Sequence, residues 1–409
     1  MNLPLEQPPA PRATLSQMWR DFGLTYAANG FVGWLFAVTA PVAIILSVGS
    51  HGGLSEAEIA SWVFGVFFVN GLITILFCWV YREPLVFFWT IPGTVLVGPS
   101  LAHLSFAEVI GAFYLTGLLM FLLSITGWVR RAMDVVPMPI VMGMVAGVFL
   151  RFGLDLVRAL HSDFGIAGPM VVTWIVLSVL PALGRRMPAL IGALLVGIGA
   201  ALFGGRFEAG TFATLDFIEP VIQAPAWSFA AAIELVVPLA ITVLVVQNGQ
   251  GIAVLRAVGH RPPINAITAA CGIGSIIGAI FGGVSSCLTG PTNAIVSSSG
   301  ERARHYTAGI FVGLLALVFG LLAPTFTRFL LNAPEALVMT LAGLALLKIL
   351  QAAFATCFGD RYTLGALVAF LVTVADLPLF NIGAAFWGLV AGILASRLLE
   401  RADFTGPGR

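Results

Sequence analysis

The chain has 409 residues, of which 59% are hydrophobic and only 10% are charged. Soluble globular domains carry about 25% charged residues, so this composition excludes an ordinary soluble domain and indicates a chain embedded in a lipid bilayer. The formal net charge is +1, which gives no reason to expect a nucleic acid or a strongly acidic partner.

Residues 1–25 are polar and lack the pattern of a cleaved signal peptide, so we expect a cytoplasmic N-terminal segment. Beyond it, apolar runs predict an all-α polytopic membrane protein with fourteen crossings, because a spanning helix needs about 20 apolar residues. The predicted segments are 31–48, 60–80, 85–104, 109–128, 135–154, 170–183, 188–203, 230–248, 264–281, 284–299, 307–322, 334–350, 364–375 and 382–398.

The basic residues predict how these segments are oriented. With both termini inside, sixteen of the 20 Lys and Arg residues, including Lys348, fall on the cytoplasmic side. Basic residues accumulate in cytoplasmic loops, so this distribution supports an even number of crossings in a cell inner (plasma) membrane.

The polar interruption at 204–228 separates seven predicted crossings from seven. An odd number per half forces the second half to enter the membrane upside down, which is typical of secondary transporters. We therefore expect a first inverted repeat at 26–204, a linking loop at 205–228 and a second repeat at 229–400.

The third segment of each half contains a matching irregularity. "FFWTIPGTVLVGPS" (87–100) and "SSCLTGPTNAIVSSSG" (285–300) both place a Pro and a Gly before a Thr. We predict that the third and tenth segments are each broken into a short extended arm and a half-helix, and we call these two interruptions the breaks. The two arms should pair with each other, because extended backbone must be shielded from lipid. Two half-helix N-termini facing one cavity would attract an anion. The alternative is that these small residues only allow close helix packing.

Several polar side chains near the breaks are candidate substrate ligands. Thr94 and Thr292 carry hydroxyls, and Asn293 can donate or accept. Gln247, Asn248 and Gln250 form an amide cluster that either lines the cavity or caps the end of the eighth segment. Trp89 would supply an aromatic wall, and strand alternation places Phe87 on the same face as Trp89 and Phe88 on the other.

Ionisable residues inside a membrane are costly and usually functional. Glu234 lies thirteen residues before Gln247, so it is either a proton-coupling residue or an interfacial one near the outer surface. Arg151, Asp155 and Arg158 have the spacing of a local ion pair, or they form an electropositive vestibule.

No pattern for an enzyme, a metal site or a cofactor is present in the sequence. The five histidines are scattered, there is no HExxH, GxSxG or nucleotide-binding loop, and the four cysteines form no spaced framework and are expected to be free thiols. A gradient-driven transporter is favoured, although half-helices also line channels.

The motifs "GMVAG" (143–147) and "GLVAG" (388–392) are small-residue packing motifs. They leave open whether the protein forms a homodimer.

Four stretches together resemble the BenE-type benzoate/proton symporter family. They are "FFWTIPGT", "VVQNGQGIAVLRAVGHRPPINAITAACGIGS", "GDRYTLGALVAFLVT" and "GAAFWGLVAG", and the resemblance extends from about Tyr26 to Leu399. It implies the seven-plus-seven inverted-repeat fold that nucleobase permeases and sulphate-type anion transporters share more distantly. It also implies a core domain of segments 1–4 and 8–11 and a gate domain of segments 5–7 and 12–14.

The resemblance also assigns site residues by position. Substrate would bind between the third segment (Trp89, Thr90, Gly93, Thr94) and the tenth (Thr289, Gly290, Thr292, Asn293), facing Gln247 and Gln250 of the eighth. Nucleobase permeases have acidic residues on the eighth and tenth segments, where this chain has amides and hydroxyls. This difference favours a carboxylic acid over a nucleobase. The resemblance implies benzoate or a related aromatic carboxylate taken up with a proton, and the alternative is a permease or channel for another small anion or a nucleobase.

Overall fold

The computed structural model describes residues 5–8, 11–129, 137–180, 187, 189–206, 215–298, 300–377, 379 and 384–405. The first half contains α1 (Leu15–Asp21), α2 (Leu24–Val38), α3 (Ala40–His51), α4 (Glu56–Tyr81), β1 (Phe87–Trp89), α5 (Ile91–Ser100), α6 (Phe106–Thr126), α7 (Met138–Ser162), α8 (Phe164–Val179) and α9 (Ala189–Phe203). The second half contains α10 (Phe229–Ala257), α11 (Ile264–Ala279), β2 (Ser286–Leu288), α12 (Gly290–Val296), α13 (His305–Leu321), α14 (Ala323–Leu331), α15 (Glu335–Cys357), α16 (Thr363–Ala375), α17 (Ala384–Leu399) and α18 (Arg401–Thr405).

Within the described ranges, seven helices are long and apolar enough to cross a membrane. They are Leu24–His51 (α2 and α3 together), Glu56–Tyr81, Phe106–Thr126, Met138–Ser162, Phe229–Ala257, Arg302–Leu321 (α13 with the 3₁₀ turn Arg302–Arg304 before it) and Glu335–Cys357. The shorter apolar helices α8, α9, α11, α16 and α17 overlap five further predicted segments, and the two remaining predicted segments are the broken ones. The chain is therefore a helical membrane protein.

Some predicted boundaries were wrong. Helix α2 begins at Leu24 instead of residue 31, and α15 continues to Cys357 instead of ending at residue 350. Three short helices, α1, α14 and α18, were not predicted, because none is long enough to give a spanning signal in the hydropathy pattern.

The two breaks contain the predicted extended arms and helices. Strands β1 and β2 pair antiparallel, with Phe87 opposite Leu288 and Trp89 opposite Ser286. Two further backbone bonds continue this pairing: Thr90 N donates to Ser285 O at 3.0 Å, and Thr289 N donates to Val86 O at 3.2 Å. Every residue of both strands is buried, so the paired backbone is shielded from lipid.

Three π-helical turns interrupt the long helices. One lies in α4 (Gly65–Val69) and two lie in α10 (Ala232–Val236 and Thr242–Asn248). A π-helical turn inserts an extra residue into a helix and rotates the side chains that follow, and such turns often occur at functional sites. Both turns of α10 contain predicted site residues, namely Glu234 and Gln247.

Helices α7, α8, α9, α15, α16 and α17 pack mainly on one another, whereas α4, α10 and α11 contact the paired strands. The two small-residue motifs lie inside the first group. A methyl group at Gly143 would lie 2.3 Å from Ala366 O, and one at Gly392 would lie 2.7 Å from Gly365 O. Both motifs therefore serve packing within the chain.

All four cysteines are buried and free, as predicted.

Several sequence predictions fall on residues outside the described ranges. These include the basic residues Arg130, Arg131, Arg185, Arg186 and Arg409, part of the linking loop (207–214) and the start of the last predicted segment. The described end of the linking loop crosses the ends of three helices, where Ile218 N donates to Leu321 O, Gln223 N to Ile280 O and Ala226 N to Ala107 O.

Candidate functional site

A cavity of about 430 Å³ lies where the two breaks meet α10 and α15, and we call it the central cavity. Its volume is in the range of small-molecule binding sites, about 300–1,000 Å³. Its lining is mostly apolar, including Phe36, Met142, Val145, Val246 and Ile349.

Five of the predicted substrate ligands line the central cavity: Trp89, Gln247, Gln250, Thr289 and Thr292. They come from β1, from α10 and from the start of α12, which are distant in sequence. The structure therefore brings together side chains from all three segments on which the site was predicted.

The hydroxyl of Thr90 belongs to the framework of the first break. Thr90 Oγ1 accepts from Gly93 N at 3.1 Å, which caps α5, and donates to Thr242 Oγ1 at 3.1 Å. Thr94 Oγ1 donates back to Thr90 O at 2.9 Å, and both threonines are fully buried. The first helix end is thus satisfied internally, and neither hydroxyl reaches the central cavity.

The second break uses the equivalent threonine differently. Thr289 precedes α12 as Thr90 precedes α5, and the two residues have similar extended backbone angles. However, Thr289 makes no capping bond, and its Oγ1 is buried without a hydrogen-bond partner. Trp89 Nε1, in the same cavity, is also buried without a partner. Since buried polar groups are normally hydrogen-bonded, these two groups are available to a ligand.

The two predicted asparagines hold the strands in place and do not line the central cavity. Asn293 Oδ1 accepts from Val86 N, and its Nδ2 donates to Val86 O, each at 3.0 Å. Asn248 Oδ1 accepts from Leu288 N at 2.8 Å. Each amide thus satisfies backbone groups of an extended arm.

The two glycines permit close approach at the breaks. A methyl group at Gly93 would lie 2.3 Å from Thr90 Cγ2, and one at Gly290 would lie 2.5 Å from Gln250 Cγ. Gly290 thereby lets Gln250 lie against the second break.

The predicted alternation of aromatic faces on β1 was wrong. Phe88 and Trp89 both line the central cavity and both pack against Phe67, whereas Phe87 packs against Phe77 on α4. Strict alternation requires a continuing strand, but β1 has three residues and helix α5 begins two residues after Trp89.

Lys348 is a lining residue that the sequence reasoning missed. It was counted among cytoplasmic residues because the twelfth segment was predicted to end at residue 350. Because α15 continues to Cys357, Lys348 lies nine residues inside the helix, about 14 Å from its end.

Glu234 lies in a second cavity of about 470 Å³, which we call the vestibule. Its side chain is 4% exposed, accepts a short hydrogen bond from Ser100 Oγ and lies with Oε2 2.9 Å from His103 Nε2. Glu234 is therefore a buried, hydrogen-bonded carboxyl group.

The vestibule also contains the predicted cluster of Arg151, Asp155 and Arg158. Asp155 pairs with Arg158 at 2.8 Å and with Arg151 at 4.0 Å, so the local ion pairs are confirmed and they line a cavity. Helix α5 separates the two cavities: Ile91 and Pro92 line the central cavity, whereas residues 98–100 line the vestibule.

Comparison with known proteins identifies the family. The family model described as BenE, benzoate membrane transport protein, matches residues 21–398. The inner membrane protein YdcO of Escherichia coli K12 is 31% identical over 367 residues, covering 89% of this chain and 93% of that protein. The benzoate membrane transport protein of Acinetobacter baylyi is 27% identical over 395 residues, covering 94% and 98%.

Solved structures of anion transporters share the fold. The transmembrane domain of the cyanobacterial bicarbonate transporter BicA aligns with a TM-score of 0.59 at 15% identity, covering 91% of this chain and 98% of that one. Murine Slc26a9 in the inward-facing state aligns with a TM-score of 0.63 at 14% identity, covering 95% and 70%. At these identities the likeness concerns the fold alone.

Proposed function

The chain belongs to the BenE family of benzoate membrane transport proteins and is a membrane transporter, and from this premise we propose that it imports benzoate or a related aromatic carboxylate together with a proton. Its partners would be this carboxylate, a proton and the lipid bilayer, with no cofactor. The membrane would be the cell inner membrane, with both termini in the cytoplasm, as the distribution of basic residues predicts.

The observation that carries the substrate assignment is the pair of unpartnered donors in the central cavity. Trp89 Nε1 and Thr289 Oγ1 can each donate to a carboxylate oxygen, and the amides of Gln247 and Gln250 lie in the same cavity. The apolar lining suits an aromatic ring. Because no acidic side chain of the described residues lines the cavity, an anion would meet no repulsion there.

This proposal revises the expected binding geometry. The carboxylate would not lie between Thr94 and Thr292, because Thr94 is engaged within the first break. It would bind beside Thr289 and Trp89, where the second break has no side-chain cap. The start of α12 would add partial positive charge there.

Fourteen crossings in two inverted repeats would account for the pairing of the breaks. Each strand is followed by one capping-position threonine and then by a helix, and the strands pair antiparallel. The packing of α7–α9 with α15–α17 supports a gate domain of segments 5–7 and 12–14, with segments 1–4 and 8–11 as the core.

Alternating access would move the core relative to the gate. The lining of the central cavity extends to Ala253 and Thr356, near helix ends that the basic residues place in the cytoplasm. The vestibule lies beyond α5 on the opposite side. We assign this conformation as open to the cytoplasm, with α5 as part of the barrier.

Glu234 is the candidate proton-coupling residue. It is buried, it lines the vestibule and it contacts Ser100 at the end of α5, the same helix whose start lines the central cavity. Protonation of Glu234 would thus act on the helix that separates the two cavities.

Purified protein in liposomes tests the proposal. With an acidic exterior, labelled benzoate should accumulate inside above its equilibrium concentration, and a protonophore should abolish this accumulation. Uptake that only equilibrates would indicate a channel or uniporter. Transport of uracil or of bicarbonate without transport of benzoate would refute the substrate assignment.

A further inference from the structure

Lys348 is the only lysine in the chain. Apart from the five histidines, all other basic residues are arginines. It is also the only charged side chain among the described residues that line the central cavity. Ala352 and Thr356 line the same cavity from positions four and eight residues later. This spacing places all three on one face of α15.

The position is unfavourable for a charge that has no role. Lys348 is exposed and lies about 14 Å from the end of α15, and a charged side chain on a membrane helix must face water or a counter-ion. Among the described residues, no carboxylate lies within 4.0 Å of its ammonium group. A helix that has otherwise apolar or small residues over 336–347 thus directs one cation toward the cavity.

We propose that Lys348 is the counter-ion of the substrate carboxylate and determines that the central cavity selects anions over neutral aromatic molecules. This inference rests on the proposed function and names a residue that neither the breaks nor the amide cluster supply. The carboxylate would be held by neutral donors at the breaks and by the ammonium group of α15.

The arrangement would also connect substrate binding with closure of the cavity. Trp89 and Thr289 belong to the breaks, whereas Lys348 belongs to α15, which packs against α7. A carboxylate between them bridges the two groups of helices and neutralises the charge that closure would bury. In the empty cavity the unpaired ammonium group opposes closure, because a buried charge requires a partner.

The test compares benzoate binding to four forms of the full-length protein in detergent. Lys348→Gln removes the charge, Lys348→Arg keeps it, and Arg256→Gln removes one charge from an exposed residue that does not line the cavity. Titration calorimetry should show benzoate binding weakened at least about tenfold in Lys348→Gln, equivalent to about 1.4 kcal/mol, and little changed in the other two. Binding of benzamide, the neutral analogue, should be equal in wild type and Lys348→Gln.

Thermal unfolding without ligand verifies that each variant is folded. Benzoate binding by Lys348→Gln as tight as that of the wild type overturns this proposal and leaves the proposed function standing. An equal loss in Arg256→Gln also overturns it, because the effect would then be long-range. If the wild type binds neither benzoate nor any other carboxylate of a test panel, the proposed function and this inference both fail.

Discussion

Thr90 and Thr289 occupy equivalent positions before α5 and α12, but only Thr90 caps its helix. Replacing each in turn by valine, which has nearly the same shape, separates a structural hydroxyl from a ligand-binding one. Thr90→Val removes the cap on Gly93 N, and the loss of such a cap costs about 0.5–2 kcal/mol. Thr242 Oγ1 is not left unpaired, because it still donates to Leu239 O at 2.8 Å.

Thr289→Val has the opposite expected profile. Thr289 as a residue is 8% exposed, and the hydroxyl that is removed is buried without a partner, so its loss should leave the stability of the ligand-free protein unchanged or slightly raised. A hydrogen bond to a charged group contributes about 1.5–3 kcal/mol, so benzoate affinity should fall roughly 10- to 100-fold.

Thermal unfolding of the ligand-free variants and calorimetric titration with benzoate measure the two effects separately. We expect a lower unfolding temperature with nearly normal affinity for Thr90→Val, and weak affinity with a normal unfolding temperature for Thr289→Val. If Thr289→Val is the less stable variant and binds benzoate normally, the assignment of its hydroxyl to the ligand is refuted.

Three further variants test other parts of the structure. Glu234→Gln should retain benzoate exchange in liposomes but lose accumulation driven by a proton gradient, because the amide cannot ionise; accumulation at the wild-type level would exclude Glu234 as the proton carrier. Asn293→Ala should lower the free energy of unfolding by about 1–3 kcal/mol, because Val86 N loses its buried acceptor while Val86 O keeps the bond from Thr289 N, and thermal unfolding would measure this. Burial lowers the pKa of His260, in the α10–α11 loop, from 6.5 to about 4, with His305 and Arg302 adding to this shift. The unfolded chain therefore binds more protons between these values, so stability should fall as pH drops from about 6.5 to about 4, and His260→Gln should flatten this dependence in thermal unfolding at a series of pH values.

The breaks and their pairing could be predicted from local chemistry. Pro, Gly and Thr at matching places in the two halves, with β-branched and aromatic residues before one of them, indicate an arm followed by a helix, and lipid exclusion requires the arms to pair. The use of each hydroxyl could not be predicted. Thr90 and Thr289 have the same local context, and only the tertiary neighbourhood decides which one turns back to cap its helix.

Lys348 was misplaced, and the burial of Glu234 was not predicted, for different physical reasons. A hydropathy pattern shows that an apolar helix is present but defines its end poorly, because helices continue through moderately polar residues, as α15 does beyond residue 350. Glu234 was placed by counting residues along a regular α-helix. The two π-helical turns of α10 change which way its side chains face, and a residue count cannot show that Ser100 and His103 enclose the carboxyl group.

If both charged groups act as proposed, their charges also favour coupled transport. Lys348 and Glu234 line cavities on opposite sides of α5. Benzoate alone would give Lys348 a partner but would leave the Glu234 carboxylate charged and buried, and a proton alone would neutralise Glu234 but would leave the ammonium group of Lys348 unpaired. Since burying an unpaired charge is costly, the form with both ligands would be the one that closes most readily, which makes proton and carboxylate move together without any direct contact between their sites.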